Sequence, residues 1–177
     1  DLTEKTQKKE LIYKGKFIDC FLDQVILPNG KTSTREYLHH PGAIAAVPVL
    51  DDGRIILEKQ FRYPTGKVIL EIPAGKLEDA ENPEDCARRE LTEEIGYEPQ
   101  QLILLTSIWT TPGFSDEIIH LFLAKGLKPL RRPMDNDEFL EVITMSKSEV
   151  FEHIYHDSLI DSKTALALMM IELKKLW

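Results

Sequence analysis

The segment from residue 82 to residue 96 constrains the fold of this chain more than any other part of the sequence. Asn82 is a favourable N-cap, Pro83 suits the first helical position, and Gly96 is the residue type that most often follows a helix end. Together these signals predict a helix over residues 83–95. Three apolar side chains share one face of that helix and should pack against a sheet: Ala87, Leu91 and Ile95.

A second face of the same helix carries three carboxylates. Glu90, Glu93 and Glu94 lie at positions i, i+3 and i+4, where like charges destabilise a helix by about 0.2–0.5 kcal/mol per pair. Arg89 can reach Glu93 at i+4 and neutralise part of this charge. The remaining charge suits hard divalent cations such as Mg²⁺ or Mn²⁺, which prefer oxygen ligands. A solvated acidic face is the ordinary alternative for a glutamate trio of this kind.

Runs typical of β-strands occupy most of the chain on either side of the helix. They predict strands over residues 17–27, 31–38, 43–50, 54–62, 68–72, 101–110, 117–124 and 139–145. Asn29-Gly30, between the first two runs, predicts a hairpin with a type I′ turn, which needs positive φ at both central residues. The polar first ten residues are expected to form a loose or helical lead-in.

Two further helices are predicted near the C-terminus, over residues 149–156 and 163–176. Ser146 or Ser148 can cap the first of these helices, and Asp161 can cap the second. The second helix is expected to bury one apolar face, made of Ala165, Leu168, Met169 and Leu173. Helices and strands in this order predict the α/β (α+β) class, with a mixed sheet.

Composition narrows the class of protein and of partner. The 177 residues are 42% hydrophobic and carry a net charge of −8, which favours one soluble globular domain and argues against nucleic-acid or membrane-surface partners. Cys20 and Cys86 lack a CxxC spacing, so a disulfide framework or zinc site is not expected, and a cytoplasmic location is predicted. No apolar run approaches the roughly 18 residues that a membrane span requires.

The acidic helix lies inside a longer pattern that resembles the Nudix box at every fixed position. These positions are Gly75, Glu81, Arg89, Glu90, Leu91, Glu93, Glu94, Gly96 and Tyr97. The resemblance implies an α/β/α sandwich with a mixed sheet and the hydrolysis of a nucleoside diphosphate linked to another moiety. It implies that two or three Mg²⁺ or Mn²⁺ ions are held by Glu90, Glu94 and the Ala74 carbonyl, with Glu93 close by. It also implies that Arg89 orients a glutamate, and it leaves Glu81 open between a structural role and a second metal shell.

Residues outside the box are similar to those of the ADP-ribose pyrophosphatases. Glu71-Ile72-Pro73-Ala74-Gly75 looks like the start of their box, and Pro112 follows Tyr97 by 15 residues, as in that subfamily. The implied reaction is the metal-dependent hydrolysis of ADP-ribose to AMP and ribose 5-phosphate. A hydrolase of other nucleoside diphosphate sugars, such as ADP-glucose or GDP-mannose, is the alternative, and a non-catalytic nucleotide-binding sensor is a more distant one.

The same resemblance implies roles for residues beyond the box. Glu138, in a polar stretch before the last predicted strand, is expected to be the catalytic base, with Glu93 as the rival. Arg62, at the end of a strand, is expected to bind a phosphate, because arginine pairs bidentately with phosphate oxygens. Four further residues are expected to bind substrate, the first two near the adenine and the last two near the terminal ribose: Arg35, Glu36, Ser115 and Glu117. Glu117 could instead help to hold metal.

In relatives the N-terminal sheet is exchanged between two subunits. The resemblance therefore implies a homodimer in which residues 1–40 form an exchanged antiparallel sheet and residues 41–177 form the Nudix hydrolase domain. The expected partner is a small nucleotide-sugar substrate. Trp109 is expected in the core. His39 and His40 are expected to lie at a strand end without a special role, and His153 and His156 are expected to be surface residues.

Overall fold

The computed structural model describes residues 1–133, 139–157 and 160–177. Its strands are β1 (Lys5–Lys8), β2 (Leu11–Lys14), β3 (Asp19–Ile26), β4 (Thr32–His39), β5 (Ala43–Pro48), β6 (Ile55–Arg62), β7 (Lys67–Glu71), β8 (Ala74–Lys76), β9 (Tyr97–Trp109), β10 (Ile118–Pro129) and β11 (Leu140–Met145). Its helices are α1 (Pro83–Glu94), α2 (Lys147–His156) and α3 (Ser162–Lys174). Among these described helices, none has the length and apolar character needed to cross a membrane.

The chain divides into two compact units. Unit 1 consists of Asp1–Gly42 and Ile108–Ile118, and unit 2 consists of Ala43–Ser107 and Ile119–Trp177. Unit 1 contains a four-stranded antiparallel sheet in which β3 pairs with β1, β2 and β4. The lead-in predicted for the first ten residues is therefore wrong in part, because residues 5–8 form β1. Their side chains are polar and exposed, so no apolar alternation marked them as a strand.

The hairpin between β3 and β4 forms where it was predicted, but its turn is of another type. Gly30 has a φ of +80°, whereas Asn29 is not among the described residues with positive φ, so the turn is not type I′. The Leu27 amide donates to the Lys31 carbonyl at 2.8 Å, and the Gly30 amide donates to the Leu27 carbonyl at 2.8 Å. Pro28 lengthens the loop to three residues, which favours a type I turn followed by a left-handed glycine.

Unit 2 is built on two sheets with helices packed against them. One sheet has the order β8-β5-β10-β9, with β5 parallel to β10 and antiparallel to β8, so the predicted mixed sheet is confirmed. The other sheet is antiparallel, in the order β11-β6-β7. Strand β8 was not predicted, because Pro73-Ala74-Gly75 resembles a strand break. The pairing of β8 with β5 is a tertiary contact.

Helix α1 packs on this framework through the predicted apolar face. Ala87, Leu91 and Ile95 are buried in a cluster of apolar side chains that also includes Ile44, Ala46, Ile56, Cys86, Phe122, Ala124 and Leu127. The Asn82 side chain accepts a hydrogen bond from the Glu84 amide at 2.9 Å, and Gly96 has a φ of +75° just beyond the helix. The local signals at both ends of α1 are therefore confirmed.

The C-terminal helices begin at predicted caps, but α3 buries a different face from the one expected. Ser146 caps α2 and Asp161 caps α3 through side-chain oxygens. Leu168 is fully buried, whereas Leu173 is 81% exposed. At 3.6 residues per turn Leu173 lies about 140° around the helix from Leu168, so the two cannot share a narrow buried stripe. Met169 is also exposed, and Ile171 is buried instead.

Candidate active site

Arg89 lies among the carboxylates of helix α1. Its Nη1 donates to Glu90 Oε1 at 2.7 Å and to Glu93 Oε2 at 3.2 Å. Its Nε and Nη2 donate to the two carboxylate oxygens of Glu81, each at 2.9 Å. The guanidinium therefore neutralises part of the like-charge repulsion that the sequence predicted for this helix.

The bidentate pair between Arg89 and Glu81 is the strongest electrostatic feature of this cluster. The hydrogen bond from Arg89 lowers the pKa of Glu81 to about 2, and the same bond raises the pKa of Arg89. Glu81 also accepts a hydrogen bond from the Glu78 amide at 3.0 Å, which fixes the loop before α1. In this structure Glu81 thus acts on Arg89, which in turn holds Glu90 and Glu93.

Strand β8 provides a close-fitting surface for Glu90. A Cβ atom added to Gly75 would lie 1.9 Å from Glu90 Cδ and 1.9 Å from Glu90 Oε1. Only glycine allows the Glu90 carboxylate to lie against the backbone at this point, because real Cβ atoms do not approach other heavy atoms so closely. Gly75 in turn is paired with Ile44 of β5, so the surface is fixed by the sheet.

The neighbouring residue of β8 contacts the next carboxylate along the helix. The Ala74 amide donates to Glu94 Oε2 at 3.2 Å, and both Glu94 and Glu90 are buried. Two box glutamates are therefore drawn to two consecutive residues of one short strand. These two contacts place Ala74, Glu90 and Glu94 close together, as the resemblance implied. Their role as metal ligands stays a prediction.

The donor set fits a hard divalent cation in its chemistry. Carboxylates and backbone carbonyls are the oxygen ligands that Mg²⁺ and Mn²⁺ prefer, and Glu90 and Glu94 are held by the same strand, β8. Within residues 1–133, 139–157 and 160–177, no three acidic, histidine or cysteine side chains are already arranged around one point as metal ligands. Arg89 forms ion pairs with both Glu90 and Glu93.

A buried ion-pair network lies at the ends of β6 and β7. Arg62 Nε donates to Glu71 Oε1 at 2.8 Å, and its Nη2 donates to Glu71 Oε2 at 3.0 Å. Lys163 of α3 contacts the same carboxylate. Burial lowers the pKa of Arg62, but Glu71 outweighs that effect, with weaker contributions from Glu58 and Glu94, so the pKa is raised. The phosphate-binding role of Arg62 stays a prediction, and in this structure two of its nitrogens bind Glu71.

The predicted substrate residues of unit 1 lie on β4 and on the loop after β9. Arg35 Nε donates to Glu4 Oε2 at 2.9 Å, and Glu36 is exposed on the same strand. The Glu117 amide donates to Ser115 Oγ at 3.2 Å, so these two residues are brought together. Their contacts with a substrate stay predictions.

Two histidines for which the sequence predicted no special role hold this loop in place. His39 Nδ1 lies 2.6 Å from Asp116 Oδ2, and the His40 amide donates to Asp116 Oδ1 at 2.8 Å. Partial burial raises the pKa of Asp116, but the hydrogen bonds from His39 and His40 outweigh it and keep that pKa below its ordinary value. The His40 side chain is only 11% exposed.

Trp109 differs from its predicted place, and the two candidate bases, Glu138 and Glu93, differ in what the structure describes. Trp109 is 67% exposed within the chain, so its expected place in the core is wrong. Glu138, the expected base, lies outside the described residues, and so do the acidic neighbours on its N-terminal side. Glu93, its rival, is held by Arg89 at 3.2 Å and is partly exposed.

Comparison with known proteins decides the family. A family model described as the NUDIX domain matches residues 39–163 of the chain. The chain belongs to the Nudix family. The identification of the box as that of a Nudix hydrolase is confirmed, and such hydrolases generally use divalent metals.

Relatives of this Nudix protein cover almost its whole length. It is 48% identical to an ADP-ribose pyrophosphatase of Bacillus subtilis (strain 168), over 98% of this chain and 95% of the relative. It is 45% identical to a methanol dehydrogenase activator of Bacillus methanolicus, over 97% of this chain and 94% of the relative. A solved structure described as an ADP compounds hydrolase superposes with a TM-score of 0.87 at 20% identity, covering 99% of this chain and 97% of that one. The predicted α/β fold is thereby confirmed.

Proposed function

We propose that this Nudix protein is an ADP-ribose pyrophosphatase that uses Mg²⁺ or Mn²⁺ to yield AMP and ribose 5-phosphate. The observation that carries this proposal is the contact of Glu90 and Glu94 with two consecutive residues of β8. It brings two expected ligands of α1, Glu90 and Glu94, against β8, the strand that carries the third, Ala74. The 48% identity to the Bacillus subtilis ADP-ribose pyrophosphatase supports the substrate class.

The candidate site residues of unit 2 would then have the following roles. Glu90, Glu94 and the Ala74 carbonyl would hold two or three divalent ions, with Glu93 nearby. These ions supply neutralisation of the diphosphate charge and a lowered pKa of bound water. Arg62 would bind one phosphate through its planar guanidinium.

The proton of the attacking water requires a base. We assign this role to Glu138, which follows a polar stretch, and we keep Glu93 as the rival. One carboxylate oxygen of Glu93 already accepts a hydrogen bond from Arg89 at 3.2 Å, so that oxygen is engaged within the chain. Replacing each glutamate by glutamine in turn distinguishes them: loss of kcat with little change in KM identifies the base. A Glu138→Gln variant that changes only KM would transfer the role to Glu93.

The substrate's adenosine and ribose would contact unit 1 residues, with Arg35 and Glu36 near the adenine and Ser115 and Glu117 near the terminal ribose. The loop that bears Ser115 and Glu117 is held by hydrogen bonds from Thr110 and by the histidines of β4 and its end. A preorganised loop of this kind suits selection of one sugar. Hydrolysis of other nucleoside diphosphate sugars remains the alternative assignment.

We also propose a cytoplasmic homodimer in which residues 1–40 form an exchanged N-terminal sheet and residues 41–177 form the hydrolase domain. Unit 1 supports this proposal because it exposes several large apolar side chains, and such exposure marks interaction surfaces. They are Leu11, Ile12, Tyr13, Phe17, Trp109 and Phe114. Sedimentation equilibrium of the full chain should give twice the monomer mass, and a monomer at micromolar concentration would contradict the proposal.

A panel of nucleoside diphosphate sugars assayed with Mg²⁺ tests the proposed activity. We expect ADP-ribose to have the highest kcat/KM, above ADP-glucose and GDP-mannose. Glu94→Gln should abolish turnover while the protein stays folded, because a neutral amide is a poor ligand for a hard cation. Glu84→Gln is the matched control, since Glu84 is an exposed glutamate in the first turn of the same helix. Equal activity of the Glu94 variant and wild type would refute the metal assignment.

A further inference from the structure

The first turn of α3 is joined to the end of β7 by hydrogen bonds that the activity described above does not use. Thr164 is buried, and its hydroxyl accepts a hydrogen bond from the Ile72 amide at 2.9 Å. The same hydroxyl donates to Asp161 Oδ2 at 2.6 Å, which also accepts from the Thr164 amide at 2.9 Å. A hydroxyl has one hydrogen to donate, so the bond to Asp161 fixes the orientation in which it accepts from Ile72.

A second contact between α3 and the end of β7 involves Lys163 and Glu71. Lys163 contacts the buried Glu71 carboxylate, and its Nζ lies 3.2 Å from Asp161 Oδ2. Glu71 is the same carboxylate that binds Arg62 in a bidentate ion pair. Lys163 therefore holds the side chain of Glu71, the last residue of β7, and Thr164 holds the backbone of Ile72, the residue that follows it.

Only two residues, Ile72 and Pro73, separate the end of β7 from the start of β8. Proline fixes its own φ, so this link is stiff. The Pro73 carbonyl also accepts from the Ala46 amide at 3.0 Å. A displacement of the Ile72 backbone would therefore be transmitted to Ala74, whose amide contacts Glu94.

We propose that Thr164 and Lys163, oriented by Asp161, are positioning residues of the active site. Thr164 fixes the position of the Ile72 backbone, and through it the position of Ala74, which would bind the metal. Lys163 shares the Glu71 carboxylate with Arg62, so that the Arg62 charge is only partly neutralised by Glu71. This inference rests on the proposed function, since it assigns these residues to the metal and phosphate groups of that site.

The two residues should have separable effects. Loss of the Thr164 hydroxyl leaves the buried Ile72 amide without its acceptor and lets the link shift, which weakens metal binding. Arg62 and Lys163 together carry one more positive charge than the Glu71 carboxylate that they share. Without the Lys163 charge, Arg62 and Glu71 form a neutral pair, which attracts a phosphate less strongly. Changes to residues that orient metal ligands typically cost roughly ten- to a hundredfold in metal affinity or activity.

The test uses the full chain and Mn²⁺, whose free concentration is measured by electron paramagnetic resonance without substrate. Thr164→Val should weaken Mn²⁺ binding about tenfold and raise the metal concentration for half-maximal activity by the same factor. Thr164→Ser restores the hydroxyl and should recover wild-type binding. Thr106→Val on β9 is the matched control, because the Thr106 hydroxyl donates to the adjacent Ser107 carbonyl at 3.4 Å.

Lys163→Met keeps most of the apolar stem of the side chain and should raise KM for ADP-ribose about tenfold with unchanged Mn²⁺ affinity. If Thr164→Val does not fold, the Lys163→Met variant still tests the inference. Wild-type Mn²⁺ affinity in a folded Thr164→Val protein, or an unchanged KM in Lys163→Met, would overturn the inference. Wild-type protein that neither binds Mn²⁺ nor hydrolyses ADP-ribose would instead refute the proposed function itself.

Discussion

The contact between Gly75 and Glu90 makes Gly75→Ala a sharp test of the active site. The new Cβ would lie 1.9 Å from Glu90 Cδ, whereas ordinary contacts begin near 3.4 Å. One of the two groups must therefore move by about 1.5 Å, the difference between these distances. Gly75 is held in the sheet by its pairing with Ile44, so the Glu90 side chain is the group that gives way.

The size of the effect follows from this displacement. A misplacement of about 1 Å in a catalytic constellation can cost roughly a hundredfold in rate, which corresponds to about 2.7 kcal/mol of transition-state stabilisation. Glu90 would also leave its 2.7 Å contact with Arg89. Overpacking of this kind typically lowers the free energy of unfolding by about 1–3 kcal/mol, so the variant should still fold at 25 °C.

The assay measures kcat/KM for ADP-ribose at saturating Mg²⁺, together with thermal unfolding of the same preparation. Glu90→Asp is the matched partner, because it shortens the side chain by one methylene and makes room for the new Cβ. We expect the double variant to lose less than the product of the two single losses, which is the mark of a direct contact. A folded Gly75→Ala protein with wild-type kcat/KM would show that Glu90 is not needed in this position.

Three further predictions concern single residues. Arg62→Ala should raise KM about ten- to hundredfold with a smaller effect on kcat, because charge-assisted hydrogen bonds contribute about 1.5–3 kcal/mol; steady-state kinetics would refute this if KM were unchanged. Because the pKa of Glu81 in the folded chain is about 2, below the ordinary 4.5, the bond to Arg89 stabilises the fold above pH 4.5 and this stabilisation is lost as pH falls towards 2. Urea unfolding of Glu81→Gln from pH 6 to pH 3 should therefore show a shallower acid destabilisation, by about 1–2 kcal/mol after solvent screening, and an unaltered slope would contradict the pair. Ser146→Ala removes the capping box with Glu149 and should lower the free energy of unfolding by about 1 kcal/mol, measured in the same way, with no change in kcat.

Local sequence signals predicted helix α1 well because its ends are determined by short-range chemistry. Asn82, Pro83 and Gly96 act within one turn of the helix, and the apolar period places Leu91 in the core. The spacing of the glutamates also predicted that Arg89 would reach Glu93. Features of this kind depend on neighbours a few residues apart, which the sequence displays directly.

Features that depend on distant parts of the chain could not be predicted in this way. Thr164 binds a backbone amide 92 residues earlier, and a threonine in the first turn of a helix resembles an ordinary polar residue. The box pattern marked Gly75 as a fixed position, but its reason is a tertiary contact with Glu90. Strand β1 has polar side chains on both faces, so only its pairing with β3 makes it a strand.

The position of Arg89 has a consequence for how folding of this protein depends on metal. Since Arg89 serves as an internal counter-ion for Glu81, Glu90 and Glu93, we expect the acidic helix to fold without a divalent ion. Small zinc domains behave differently, because chelation unfolds them. Under the proposed metal-dependent function, shortage of divalent ions would therefore leave this protein folded but inactive, and activity would return with the ions.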